Sequence, residues 1–225
     1  MIVTNVTIKQ LVEFRRLSDR GRKTFANRIQ TPNTSASSEG GGDYWISCLS
    51  AIGNTYRGLN NQLITDKISE LDKKYQGAKH SNTKNMYKRN LEILQIYERF
   101  NFAIWQPAGT LKFLSRPKVT LHLRNVPLQL LPQHVFAFDN QGTQMVGGTW
   151  FVHWLDGFSI GDWGMYTEAM YEYLNLVYGS VYQVDPNFCL TVDVVGQSAV
   201  NYTRLSNGSV PALLSTTLDE LNMLI

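Results

Sequence analysis

Cations all but vanish from this chain after Arg124: of its 21 Lys and Arg residues, only Arg204 lies beyond that point. Cysteine is scarce as well. Cys48 and Cys189, far apart in the chain, exclude a disulfide framework and cannot form a zinc site by themselves. No run of roughly 18 apolar residues is present, which excludes a membrane-spanning helix. The opening "MIVTNVTIKQLVEF" has no basic stretch followed by an apolar one, so no secretory signal is expected. The sequons at Asn5, Asn33, Asn201 and Asn207 are then expected to be chance, and the protein to be cytoplasmic with free thiols. Nucleophile and nucleotide motifs are missing too: there is no Gly-x-Ser-x-Gly, no Gly-x-Gly-x-x-Gly, and no Gly-Lys-Ser/Thr after the glycine run at 40 to 42.

What remains is a foldable chain with a strong charge asymmetry. An apolar fraction of 43% and an aromatic fraction of 12% over 225 residues suffice for a sizeable core in one large or two small domains. Through Arg124 there are 20 cations against nine acids, or +11; afterwards there is one cation against nine acids, or −8. Such a split suggests a basic surface for a polyanion such as nucleic acid. The plainer alternative is that the two halves attract each other, or that each presents a solvated face.

Periodicity divides the chain near residue 100. In "TIKQLVEFRRLSDRGRKTFANRIQ", Leu11, Phe14 and Leu17 mark one helix, and Ser18 caps a second that carries Phe25 and Ile29. Arg15, Arg16, Arg20, Arg22, Lys23 and Arg28 crowd the polar side and are the candidate nucleic-acid contacts. "TPNTSASSEGGGD", 31 to 43, is a loop by composition. Asp43 is expected to cap a helix through Trp45, Leu49, Ile52 and Tyr56. Two more helices follow, with Ile64, Ile68, Leu71 and Tyr75 on one and Met86, Leu91, Leu94 and Tyr97 on the next. Beyond Phe100, "NFAIWQP", "TLKFL" and "KVTLHLR" read as short strands, and "LQLLPQHVFAF" and "QMVGGTWFVHW" as a hairpin turning at "DNQG". Gly147 and Gly148 mark a bulge or a close backbone approach. A helix from Ser159 to Gly179, a buried strand "NFCLTVDVVG", an edge strand and turn in "NYTRLSNGSV", and a capped helix complete the chain. The fold class expected is α/β of the α+β kind. A mainly helical basic region, 1–100, precedes a mixed sheet with a packed helix, 101–225, in one compact unit.

From about residue 118 to 196, this order of elements resembles the PD-(D/E)XK nuclease superfamily, particularly its RecB-like branch, and implies a restriction-endonuclease-like core. The resemblance implies an Asp opening the second core strand, a Glu-x-Lys or Asp-x-Lys on the third, and a Gln-x-x-x-Tyr on the next helix. The carboxylates would hold Mg2+. Here His134 stands at the Asp position, Thr149, Trp150, Phe151 and His153 occupy the third strand, and Thr167 and Tyr171 fall on the helix. A hard cation lacks its oxygen ligands on either strand, so no catalytic residue, metal site or cofactor is assigned. The leading expectation is a non-catalytic, nuclease-like protein that binds nucleic acid or a polyanionic or protein partner, and no membrane, through its basic N-terminal half. One alternative is an active Mg2+-dependent nuclease with displaced acids such as Asp139, Asp156 or Asp193. Another is a pure protein-interaction subunit. A turn over Asp139 to Gly142 puts His134 opposite a residue near Thr149, not opposite His153, and both histidines, like His122, read as structural. Glu168 and Glu172, four apart on a helix, read as a solvated pair. Asp193, inside an apolar strand, needs a backbone donor or a basic partner.

Overall fold

The computed structural model describes residues 5–31, 44–154 and 157–225. Helix α1 (Ile8–Arg16) opens with a reciprocal cap: Thr7 accepts from the Gln10 N–H, and the Gln10 side chain accepts from the Thr7 N–H. Helix α2 (Asp19–Gln30) starts at Ser18, whose hydroxyl accepts from the Gly21 N–H. A Cβ at Gly21 would sit 3.1 Å from that of Leu17, so glycine suits this tight corner. Leu17, expected on the apolar stripe, is left 39% exposed there.

Helix α3 (Ile46–Gly58) has no side-chain cap of its own; Asp43 lies outside the described residues. The buried Asn90 of α5 (Ser81–Tyr97) serves instead, accepting from the Cys48 N–H and donating to the carbonyls of Tyr44 and Met86. Helix α4 (Gln62–Gly77) completes this group. The aromatic stripe of α3 and α5 is core, with Tyr56 and Tyr97 fully buried.

Two sheets follow. A small one has the order β1-β4-β3, in which β1 (Val6–Thr7) lies parallel to β4 (Val126–Leu130), and β4 forms a hairpin with β3 (Val119–Leu123). The larger has the order β2-β5-β6-β7-β8, with β2 (Lys112–Phe113), β5 (His134–Asn140), β6 (Thr143–Val152), β7 (Gln183–Asp193) and β8 (Ser198–Asn201). Only β6 and β7 are parallel, and α6 (Ile160–Tyr178) makes their crossover. Three expectations shift. "NFAIWQP" is a 3-10 turn over Phe102–Trp105, because Asn101 caps the Ala103 N–H and the Phe102 and Trp105 rings bury against Tyr97. "LQLLPQHVFAF" breaks at Pro132 into strands of two different sheets. In "NYTRLSNGSV" the strand ends at Asn201, whose side chain caps α7 (Tyr202–Ser206); α8 (Leu214–Asn222) closes the chain.

Helices cover both faces of the larger sheet, with alternate strand residues pointing each way. Val135, Val146 and Val152 join α6, α1, α2, α8 and the small sheet in one hydrophobic cluster. Phe136, Phe138, Met145, Phe151, Leu190 and Val192 join α3, α4 and α5 in another. The basic first hundred residues are therefore shared between opposite faces. Among the described residues, no helix is long and apolar enough to cross a membrane.

Strand β6 lies at the centre of the larger sheet; Gly147 lets the neighbouring strands β5 and β7 pack across it, and Gly148 lets α6 approach. A Cβ on Gly147 would meet the Phe188 carbonyl at 2.8 Å and the Phe136 ring at 2.9 Å; one on Gly148 would meet the Met170 sulfur at 2.8 Å. The β6–β7 register also shifts between Val146 and Gly148. Gly147→Ala is expected to lower unfolding free energy by about 1–3 kcal/mol, because backbone blocks the added methyl. Gly148→Ala should cost less, since the Met170 thioether can move. Gly77→Ala, at the open end of α4 with nothing within 4 Å, should raise stability by about 0.4–1 kcal/mol. Urea unfolding of the three variants checks this ranking.

Candidate functional site

The six N-terminal cations divide into two sets. Arg16 donates to the Asp162 carboxylate at 2.7 Å and to the Gly157 carbonyl at 2.8 Å, with its guanidinium 4.2 Å above the Trp154 ring. Asp162 is buried and also accepts from the Ser159 N–H in the capping box of α6. Arg22 bonds Glu220 at 3.3 Å and the Arg15 carbonyl at 2.9 Å, and Arg15 donates to Thr217 at 3.1 Å. These three arginines fasten α1 and α2 to α6 and α8. With Arg124–Asp219 at 3.6 Å, three ion pairs among the described residues join the basic and acidic halves. Arg20, Lys23 and Arg28 are exposed on α2. They make no ion pair among the described residues, and Arg28 lies over the Phe25 ring. Arg20 and Arg28 also line a shallow groove with Glu13 and Phe25.

A second cationic feature lies on the other face of the sheet. Ser50, Gly53, Asn54 and Arg57 recur at three- and four-residue spacing along α3 and form one wall of a cleft of about 230 Å³. Phe113, Arg116, Gln133 and His134 contribute to the opposite wall, and none of the lining residues is acidic. Tyr56 fixes the geometry from beneath: its hydroxyl accepts from Thr149 at 2.8 Å and donates to the Trp105 carbonyl at 3.2 Å. His134 pairs opposite Thr149 on β6, as the turn chemistry requires. A Cβ at Gly53 would lie 3.0 Å from His134 Nε2, so the glycine makes room for the ring. Burial, then the charges of Arg116 and Arg57, push His134 down to about 4. His153 lies against the Trp45 ring at 3.8 Å, and burial followed by Arg89 brings it down to about 4 as well. Attention to the apolar stripe of α3 hides this cleft in the sequence; the signal that finds it is the polar stripe Ser50, Asn54, Arg57.

The acids are dispersed. Asp139 accepts from the Gly142 N–H at 2.9 Å and from Gln144 at 3.1 Å. It orders a two-residue turn in which Gln141 and Gly142 have φ of 53° and 87°. Asp193 accepts from the N–H groups of Val195 and Gly196 at 3.1 and 3.0 Å, the backbone donors an acid in that strand needs. Asp139 is paired opposite Gln144, and Asp193 opposite Val152. Eight residues of strand separate them, roughly 26 Å, so they cannot share an ion. Asp156 lies outside the described residues. Glu168 is half-buried and accepts from the Leu214 N–H, with its carboxyl raised by burial first and by Glu172 to a lesser degree. It anchors α8 instead of forming a solvated pair with Glu172. Among the described residues, no group of three or more His, Cys, Asp or Glu could hold a metal ion. Cys48 and Cys189 are buried free thiols, and burial pushes Cys48 up to about 12.

No family model matches the chain, and neither a curated protein nor a solved structure matches it. The class that the fold and surface define is a three-layered α/β protein with separate cationic features on its two helical faces.

Two outcomes test this electrostatic description. Arg16→Ala should cost about 1–3 kcal/mol, because it removes a charged hydrogen bond to a buried carboxylate. Arg124→Ala, with both partners exposed, should cost about 0–1 kcal/mol. For His134, the folded value lies below the ordinary 6.5, so its contribution is complete above pH 6.5. As pH falls towards 4, the unfolded chain takes up the proton first and stability is lost. Urea midpoints should drop across that window, and part of the drop should disappear in His134→Gln. Identical pH profiles for the two proteins would refute the assignment.

Proposed function

We propose that this protein binds nucleic acid, or a comparable polyanion, through exposed cations of its N-terminal half without cutting it. The observation that carries the reading is the set Arg20, Lys23 and Arg28 on α2: exposed, close in sequence and unpaired among the described residues. Their neighbours Arg15, Arg16 and Arg22 are engaged within the fold. Long cationic side chains outside any ion pair suit sequence-blind phosphate contacts. The separation of Asp139 from Asp193 supports the non-catalytic part. So does the occupation of each by backbone donors. A restriction-endonuclease-like core belongs to the same proposal. Its support is the larger sheet, in which β2, β5 and β6 are antiparallel neighbours and α6 crosses over to a parallel β7.

Part of the charge split has an internal use, since three ion pairs among the described residues join the basic and acidic halves.

Binding to duplex DNA measured across salt concentrations should give a log–log slope of about −3 if three phosphate contacts form. Reversing Arg20, Lys23 and Arg28 to Glu should weaken binding at least tenfold and flatten the slope, while the protein stays folded. Incubation with Mg2+ or Mn2+ should leave both DNA and RNA intact. Affinity indifferent to salt and to the reversals would remove the binding proposal. Degradation that is lost in Asp193→Ala would remove the non-catalytic one.

A further inference from the structure

The cleft between α3 and the start of β5 has a composition that the α2 surface does not explain. It gathers Arg57, Arg116, His134, Ser50, Asn54 and Gln133 with no acid in its lining. Both guanidiniums are placed before any ligand arrives. Arg57 lies over the Phe113 ring at 5.3 Å, a contact that orients a cation without neutralising it. Arg116 uses Nη1 on the carbonyls of Pro132 and Gln133, at 3.1 and 2.6 Å. Its Nε and Nη2 donors are left for something else. The Gln133 side-chain oxygen, Oε1, accepts from the Phe151 N–H, so this amide too has its donor end uncommitted. Ser50 and Asn54 add neutral donors one helical turn apart. Neither arginine has a carboxylate partner among the described residues.

We propose that this cleft is a binding site for a phosphate monoester group. Two guanidiniums and several neutral donors match a tetrahedral oxyanion, which accepts from many directions, better than a planar carboxylate with two oxygens. The volume of about 230 Å³ exceeds what one phosphate needs yet falls short of the roughly 300 Å³ at which small-molecule pockets begin. The phosphoryl end is therefore held, and the remainder of the ester projects past the exposed Asn54 and Arg57. The neutral imidazole of His134 adds no third positive charge. Anion binding cancels the arginine charges that help depress it, so the ring gains affinity for a proton when the site fills. The group can come from the 5′ end of a nucleic acid or from a free mononucleotide. The site stands apart from α2, on the opposite face of the sheet.

The test uses the full chain and the imidazole proton resonances of His134, assigned with His134→Gln. Inorganic phosphate should shift the His134 signal saturably and raise its apparent titration point. Arg57→Gln, at an exposed position, should weaken phosphate at least tenfold, with Arg57→Lys intermediate and thermal unfolding unchanged. The Arg20, Lys23 and Arg28 reversals should leave the response intact, which separates this site from the α2 surface. A 5′-phosphorylated oligonucleotide that binds at least tenfold more tightly than its 5′-hydroxyl counterpart, with the gain lost in Arg57→Gln, would identify the nucleic-acid end as the source. Equal binding of a mononucleotide and the phosphorylated oligonucleotide would identify the free ester. No saturable shift with phosphate, or one unchanged by Arg57→Gln, overturns the proposal.

Discussion

The middle of β6 has almost no side chain, and the adjoining strands and α6 close on it. At Gly147 the Phe188 backbone and the Phe136 ring come within what would be a methyl radius, and at Gly148 the Met170 thioether does the same. The α3–α5 layer registers on the sheet through the Tyr56 hydroxyl, which accepts from Thr149, two residues further along β6, and donates to the Trp105 carbonyl. Helix α6 registers through the buried Thr167–Thr191 pair at 2.9 Å. A side chain at either position would collide with β5 and β7 or with α6.

Charge is arranged around that frame with two purposes. On the α6 face, arginines from α1 and α2 reach acids on α6 and α8, so part of the sequence's polarity becomes internal attraction. The partners differ in weight. Asp162 is buried and serves simultaneously as a helix cap, whereas Glu220 and Asp219 are substantially solvated, where a pair contributes little. On the α3 face, by contrast, the cleft arginines are held by a ring and by carbonyls. These supports orient a cation and leave its charge available.

Much of this was legible in the chain. Ser18 and Ser159 announce their helices, the turn at Asp139 fixes the strand register that places His134 opposite Thr149, and the double glycine marks the close approach. What escaped reading depends on contacts distant in sequence. Asn90 caps a helix 42 residues upstream. The Phe102–Trp105 segment has strand-forming residues but coils because its rings have aromatic partners on α5 and beyond it. The candidate site was legible only in part. Six crowded cations gave a basic surface, but not the fact that three are turned towards α6 and α8. Arg57 and Arg116 lie 59 residues apart in sequence and meet only because β2 pairs alongside β5.

The brevity of the larger sheet's outer strands has a further bearing. One margin is β2, only two residues long and carrying the exposed Lys112; the other is β8, four residues long before the chain coils into α7. Open backbone at a margin is what lets separate chains stitch together into fibrous aggregates. Here the two outermost strands offer a neighbour only two and four residues of such backbone.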